Sequence, residues 1–293
     1  MPGRLKTLVQ RSDSVVARNL EMLAIGASLA RPGQTLVYEC LDIHRKLLEG
    51  SATGRALRLI ERRLLKRTAR VIVSSPAFDR DYFRALQGWQ GPVDLIENKV
   101  SAVPETPATD IVQGGPWTIG WFGMLRCRHS LAILSDLVAR ADGRVRVLVA
   151  GLPSPDVFAD LPSEIARHPG MEYVGPYRPH DLPRLYGRVH FAWCIDYFEE
   201  GLNSRWLLPN RLYESIAHGV VPVGLADVET GRWLEQAGVG LRLSRGEDLG
   251  KALEGMTPAA YAHLSATARA LPRDRIAFSP DDHRSLVRQL ETA

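Results

Sequence analysis

The sequence predicts an α/β protein of two Rossmann-like doubly wound domains, the N-terminal one truncated. Three observations lead there. Apolar runs of strand length alternate with segments of helical periodicity. Glycines follow several of those runs, at Gly123, Gly151 and Gly175. The chain has 293 residues with 45% apolar content, which exceeds the usual single domain and can bury two cores. In an open parallel sheet, ligands bind outside the carboxyl ends of the strands, so the glycine-terminated ends and the loop before Asn210 mark the edge of interest.

In the first hundred residues, Ser14 to Ala17, Thr35 to Glu39, Arg70 to Ser74 and Val93 to Ile96 read as strands. Helices fall between them at Leu20 to Leu29, Ala56 to Thr68 and Pro76 to Leu86. Leu5, Leu8 and Val9 look like the end of a helix whose preceding strand is absent, so this sheet is expected to end at an uncovered edge. A Pro, Thr and Gly-rich stretch makes residues 105–116 the expected linker between a first domain, 1–104, and a second, 117–275. The second reads as strand Trp117 to Phe122, helix Leu131 to Ala141, strand Val145 to Ala150, strand Met171 to Gly175 and helix Asp181 to Tyr186. Strand Val189 to Ile195, the Asn210 helix, a strand at Val220, helix Glu229 to Gln236 and strand Val239 to Leu243 follow, with a helical tail over 276–293.

Composition excludes several classes. A formal charge of +4 and a pI near 9.1 are too mild to argue for nucleic acid. Cys40, Cys127 and Cys194 are scattered and odd in number, which fits reduced thiols in a cytosolic protein and neither a disulfide framework nor a zinc site. No signal-like core follows Met1-Pro2-Gly3-Arg4, and no apolar run reaches the length of a membrane span. A cytoplasmic protein, peripheral on the inner membrane at most, is expected. There is no Walker loop, no Gly-x-Gly-x-x-Gly signature and no Ser-His-Asp arrangement. Asp79-Arg80-Asp81 has the form of a metal-binding Asp-x-Asp, but it follows Ser75-Pro76 at a helix start, where dipole complementation explains it better. No metal site is expected.

The most informative stretch runs from Leu207 to Gly219 and into Val220-Val221-Pro222-Val223-Gly224. Pro209 and Asn210 end a loop, Leu212 and Ile216 repeat at helical spacing, and Gly219 suits a left-handed cap before an apolar strand. Two readings stand side by side. Amides at such a helix start can hold a diphosphate while Glu214, one turn in, accepts hydrogen bonds from a ribose diol; alternatively Glu214 only complements the helix dipole and Gly219 only stops the helix.

The helix from Arg55 to Arg70 carries Arg58, Arg62, Arg63, Lys66 and Arg67 besides, against the lone acid Glu61, with Leu57, Ile60 and Leu64 as its expected apolar stripe. A solvated outer face is the plain reading. Anionic lipid is the rival, and nucleic acid comes last because no aromatic platform interleaves the charges.

From about Asp13 onward the residues resemble the GT-B glycosyltransferases of bacterial polysaccharide synthesis, especially the retaining nucleotide-sugar branch and succinoglycan-type exopolysaccharide enzymes. The resemblance rests on motifs in the right order: Tyr38-Glu39-Cys40-Leu41-Asp42-Ile43-His44, Val71-Ile72-Val73-Ser74-Ser75, Ile96-Glu97-Asn98-Lys99-Val100, Trp121-Phe122-Gly123-Met124-Leu125-Arg126, the turns at Gly151 and Gly175, and the unit from Asn210 to Pro222. It implies a hexosyltransferase without cofactor or metal, taking a UDP- or GDP-sugar on the C-terminal domain and a growing polysaccharide or lipid-linked saccharide on the N-terminal side.

It further implies roles for individual residues. Gly123, Gly175, Asn210 and Arg211 would face the donor and Glu214 its ribose. Arg126, and less so Arg128, would neutralise the leaving diphosphate; the alternative for both is a solvated loop. Tyr177 would line the base pocket or merely pack in the core. His44 would orient the acceptor or the transferred sugar, or serve structure alone. Two departures stand out: Trp206 occupies the first position of the family's Glu-x7-Glu pattern, and Met124 the place of its frequent Arg after the loop glycine. With the expected loss of opening strands, they leave a non-catalytic nucleotide-sugar-binding remnant as the alternative.

Overall fold

A computed structural model describes residues 2–104 and 115–291, so residues 105–114 of the expected linker lie outside the described residues. The chain forms two compact units. One comprises Met1–Asn98, Gly201–Leu208 and Ser279–Ala293, the other Lys99–Glu200 and Pro209–Phe278.

The first unit is built on a four-stranded parallel sheet in the order β1-β2-β3-β4: β1 Ser14–Arg18, β2 Thr35–Cys40, β3 Arg70–Val73 and β4 Val93–Leu95. The central strands are continuous apolar runs because a parallel sheet is covered on both faces; Leu36, Val37, Tyr38, Val71 and Val73 are all buried. The helix Asn19–Leu29 turns Leu23, Gly26 and Ala27 inward. The helix Ala52–Leu65 is capped by Ser51, whose Oγ accepts from the Gly54 amide at 3.0 Å.

That helix differs from the expected pattern. Leu57 and Leu64 pack against the core as expected, but Ile60 is 45% exposed and Glu61 and Leu65 are buried in its stead. Glu61 is buried because its carboxylate has donors waiting: the Tyr38 hydroxyl at 2.9 Å, the Tyr82 hydroxyl and the Gln87 side-chain amide. A charge with that many donors can occupy a core that a lone carboxylate cannot. The stretch Phe78–Arg84 is a π-helix, and both acids of the Asp79-Arg80-Asp81 motif are paired there, Asp79 with Arg84 at 2.8 Å and Asp81 with Arg80 at 2.7 Å.

Gly201–Leu208 belongs to this unit, although the residues on either side of it belong to the other. Asn203 holds it: its Oδ1 accepts from the Ile43 amide at 3.1 Å and its Nδ2 donates to Asp42 at 3.1 Å. Trp206 packs edge-on against Phe78 and tilted against Tyr82.

The second unit carries a six-stranded parallel sheet in the order β10-β9-β8-β5-β6-β7. Its strands are β5 Trp117–Leu125, β6 Val145–Pro153, β7 Met171–Tyr173, β8 Phe191–Trp193, β9 Val221–Leu225 and β10 Leu241–Leu243. From β5 the chain winds outward through β6 and β7, then returns to the other side of β5 and continues through β8 to β10. The order therefore reverses between β5 and β8, and that switch point is where a doubly wound sheet opens a crevice for ligand.

β5 and β6 continue past the glycines expected to end them. Gly123 pairs in register with Gly151, Met124 with Leu152 and Leu125 with Pro153. Both glycines have left-handed backbones, φ +114° and +137°, and a Cβ on Gly151 would collide with the Gly123 carbonyl. Two matched kinks leave the ladder unbroken, so the strands bend at the glycines rather than stop. Helices Leu249–Glu254, Pro258–Arg269 and Arg273–Ile276, which have no counterpart among the sequence expectations, complete the unit.

Candidate active site

The helix Asn210–Ala217 begins directly after Pro209 and supplies the charged groups at the switch point. Its buried side, Leu212, Tyr213, Ser215, Ile216 and Ala217, fixes it to the unit and leaves Asn210, Arg211 and Glu214 on the remaining arc. Leu212 donates its amide to the Pro209 carbonyl at 2.9 Å, which leaves the amides of Asn210 and Arg211 at the positive end of the helix dipole.

Arg211 lies at the crevice itself. Its guanidinium donates to the Ile195 carbonyl after β8 at 3.0 Å and to the Phe122 carbonyl in β5 at 3.5 Å. A Cβ on Gly123 would stand 4.0 Å from Arg211 Nη1. One cation thus bridges the two strands between which the sheet order reverses, and the bare glycine keeps the space above it open. Arg211 Nε is buried without a hydrogen-bond partner.

Glu214 is held from behind. The buried Tyr186 hydroxyl donates to its Oε2 at 3.1 Å. Burial pushes the Glu214 carboxyl above its ordinary range, partly opposed by the Tyr186 hydrogen bond and the Arg211 charge. Tyr186 in turn stacks on His218, ring centroids 5.1 Å apart and planes nearly parallel, and edges onto Phe122. Desolvation lowers His218 to about 4, so the imidazole is neutral at physiological pH. Tyr177 packs edge-on against Phe122, and its hydroxyl is pushed up to about 12, first by burial and then by the Glu214 charge. Gly175 closes the row: with φ +89° it accepts the Gly151 amide on its carbonyl at 2.9 Å.

Arg126 follows β5 with its guanidinium 4.5 Å from the centre of the Phe198 ring and 3.8 Å from Asp196. Arg128 is committed elsewhere: it grips Glu164 through two nitrogens, at 3.0 and 3.3 Å, and covers Phe158. In the first unit, His44 Nδ1 accepts from the Lys46 amide at 3.2 Å, capping the short helix Arg45–Leu48, with the ring exposed.

Gly123, Gly175, Tyr177, Asn210, Arg211 and Glu214 therefore gather around one sheet edge, Arg126 stands on the loop beyond β5, and Arg128 points to a different partner. Sequence reasoning missed Tyr186 and His218, which set the position and protonation of the cluster. No local signal marks Tyr186, because it reaches Glu214 across 28 residues of chain. His129 was missed as well: it lies against the Tyr197 ring, between the carboxylates of Glu200 at 3.7 Å and Glu247 at 3.6 Å.

Two parallel α/β sheets, the second doubly wound with charged groups converging on its switch point, make a GT-B glycosyltransferase fold. The chain aligns with Anabaena HepE (Alr3699), solved in complex with UDP, at a TM-score of 0.77 and 15% identity, covering 100% of this chain and 82% of that one. Sucrose-phosphate synthase from Thermosynechococcus elongatus aligns at 0.77 and 15%, covering 99% and 77%. At such identities the likeness establishes the fold. No family model matches the sequence. In sequence the chain is 43% identical over 297 residues to the succinoglycan biosynthesis protein ExoL of Rhizobium meliloti (strain 1021), spanning 97% of this chain and 74% of the relative. The chain belongs to the ExoL family, and it is an enzyme, a glycosyltransferase of the exopolysaccharide type.

Proposed function

We propose that this enzyme moves a hexose from a UDP- or GDP-sugar to a growing polysaccharide or lipid-linked saccharide, with arginine rather than a metal ion answering the charge of the leaving group. The observation that carries the reading is Glu214: a carboxylate kept at a sheet switch point, one oxygen engaged by Tyr186, the other available for a ribose diol. The HepE structures in complex with UDP and with UDP-glucose support a nucleotide sugar as donor.

In this reading the amides of Asn210 and Arg211 and the Arg211 guanidinium receive the diphosphate, and Tyr177 borders the base. As the anomeric C–O bond breaks, the electron pair leaves with the nucleoside diphosphate; Arg211 and Arg126 stabilise it there with fixed, preorganised charge. The acceptor hydroxyl passes its proton to the departing diphosphate oxygen as its own oxygen bonds to the anomeric carbon, and His44 is assigned to orienting that acceptor. The reading gives that charge to arginine because Arg211 bridges the two strands at the switch point and Arg126 follows β5.

The test is a thermal-shift and turnover screen of the purified chain against UDP- and GDP-sugars, with and without EDTA. One nucleotide class should raise the melting temperature, and transfer should survive chelation. Activity that vanishes with EDTA and returns with manganese would contradict the metal-free reading, and binding without any transfer would favour a non-catalytic nucleotide-sugar-binding remnant.

A further inference from the structure

The second unit carries a long groove apart from the cluster around Glu214. It lies between the helix Arg128–Arg140 and the residues from Gly246 to Pro258, and its volume of about 980 Å³ is that of a large ligand cleft. Gly250 sets the depth of this valley, since a Cβ there would stand only 3.3 Å from Leu137 Cδ1, so the two helices approach closely. From His129 to Arg140 the groove follows the helix for about 17 Å. At its far end lie Trp117 and Val145, the first residues of β5 and β6. The groove therefore starts near the carboxyl edge of the sheet and ends at the opposite edge.

Its floor is apolar, but little of the floor shows. Ile133 and Leu253 are buried, Leu137 and Met256 half-buried, and none of the exposed large apolar side chains lines the groove. A partner helix needs a broad apolar surface on which to bury its own stripe, and this floor is too thin for one. The rim mixes four acids with three bases, so it presents no single sign to a charged polymer. Several of its polar groups are also unclaimed: Asp142, Lys251 and Glu254 are exposed without an ion pair or side-chain hydrogen bond, and the Trp117 indole N–H makes no hydrogen bond.

A thin apolar floor under a rim of both donors and acceptors matches a chain of pyranose rings, whose C–H faces are weakly apolar and whose edges carry hydroxyls that donate and accept. We propose that this groove is a second saccharide-binding site, which takes a neutral stretch of oligosaccharide along the helix Arg128–Arg140. The floor meets the C–H faces, Asp142 and Glu254 accept from hydroxyls, and Lys251 and Trp117 donate to them. A saccharide held there keeps its free end near the enzyme and raises the effective concentration of that end. The groove is long enough for several linked sugars, and a single sugar reaches only a fraction of its contacts. The inference rests on the chain's place among exopolysaccharide glycosyltransferases and not on the donor assignment, because Gly123, Gly175, Tyr177, Asn210, Arg211 and Glu214 all lie outside the groove.

The experiment is calorimetry of the full chain, without nucleotide, against cellohexaose, laminarihexaose and maltohexaose, with glucose as the control. At least one hexasaccharide should bind with a Kd below about 1 mM, and glucose at least about 10-fold more weakly. Lys251→Ala/Glu254→Ala should weaken the hexasaccharide by about 10-fold or more. Ala132→Trp, at an exposed position that lines the groove, should fill it and abolish binding. Circular dichroism and the nucleotide thermal shift of both variants should match the wild type, which separates lost saccharide binding from lost folding. A wild type that binds a hexasaccharide in the groove but no nucleotide would sink the donor reading and leave this one standing. No binding of any hexasaccharide, glucose bound as tightly as the hexasaccharides, or variants that bind as the wild type does would each overturn the proposal.

Discussion

At the scale of the residue, Glu214, Tyr186 and His218 form one buried stack in which each group fixes the next. Tyr186 holds a carboxylate oxygen of Glu214, and His218 lies flat against the Tyr186 ring. The stack has a consequence for acid stability. His218 is lowered to about 4 by burial, below its unfolded value near 6.5, so its contribution to stability is present above pH ~6.5 and is lost as the pH falls toward 4. Glu214 and Glu61, both raised chiefly by burial, act with the opposite sign: they favour the fold at low pH and oppose it as pH rises through their folded values. The difference between wild type and His218→Phe isolates the histidine. The variant keeps an aromatic ring on Tyr186 and should lose less melting temperature than wild type between pH 7 and 5; parallel pH profiles would mean that His218 does not titrate with unfolding.

At the scale of the element, what was legible in the sequence is what is encoded locally. Gly123, Gly151 and Gly175 stood out because glycine punctuates an apolar run, and all three have the positive φ that makes glycine necessary. The strand limits were misjudged for a non-local reason: whether a strand stops at a glycine or bends there depends on the neighbour, and Gly123 and Gly151 bend together. The helix Ala52–Leu65 shows the same limit. Its periodicity was visible, but which line of residues faces inward was settled by Tyr38 and Tyr82 waiting for Glu61. Removing that carboxylate strands two phenols and an amide in the core. Glu61→Ala should therefore destabilise the chain by roughly 2–4 kcal/mol in urea unfolding, with a reduced midpoint and an unchanged slope. A loss below about 0.5 kcal/mol would show that water replaces the carboxylate at little cost.

At the scale of the whole molecule, the chain builds two units and returns to the first for Gly201–Leu208 before entering the helix that carries Glu214. Alternation of strands and helices made the two parallel α/β units legible, whereas this return was not, because Asn203 is held by Asp42 and Ile43 about 160 residues earlier and no pattern within the loop reports such partners. Trp206, the departure from the expected Glu-x7-Glu pattern, has its own packing partners in Phe78 and Tyr82, so its role is visible only in three dimensions. The carboxylate that does match that pattern, Glu214, lies at the switch point of the larger sheet, and the central claim is that it binds the donor nucleotide. Calorimetry of Glu214→Ala against wild type, using the nucleoside diphosphate that stabilises the wild-type chain, tests this most directly. Loss of one charge-assisted ribose contact should cost on the order of 1.5–3 kcal/mol, roughly a 10- to 150-fold weaker Kd, with the fold intact. An unchanged Kd in a folded variant would contradict the account.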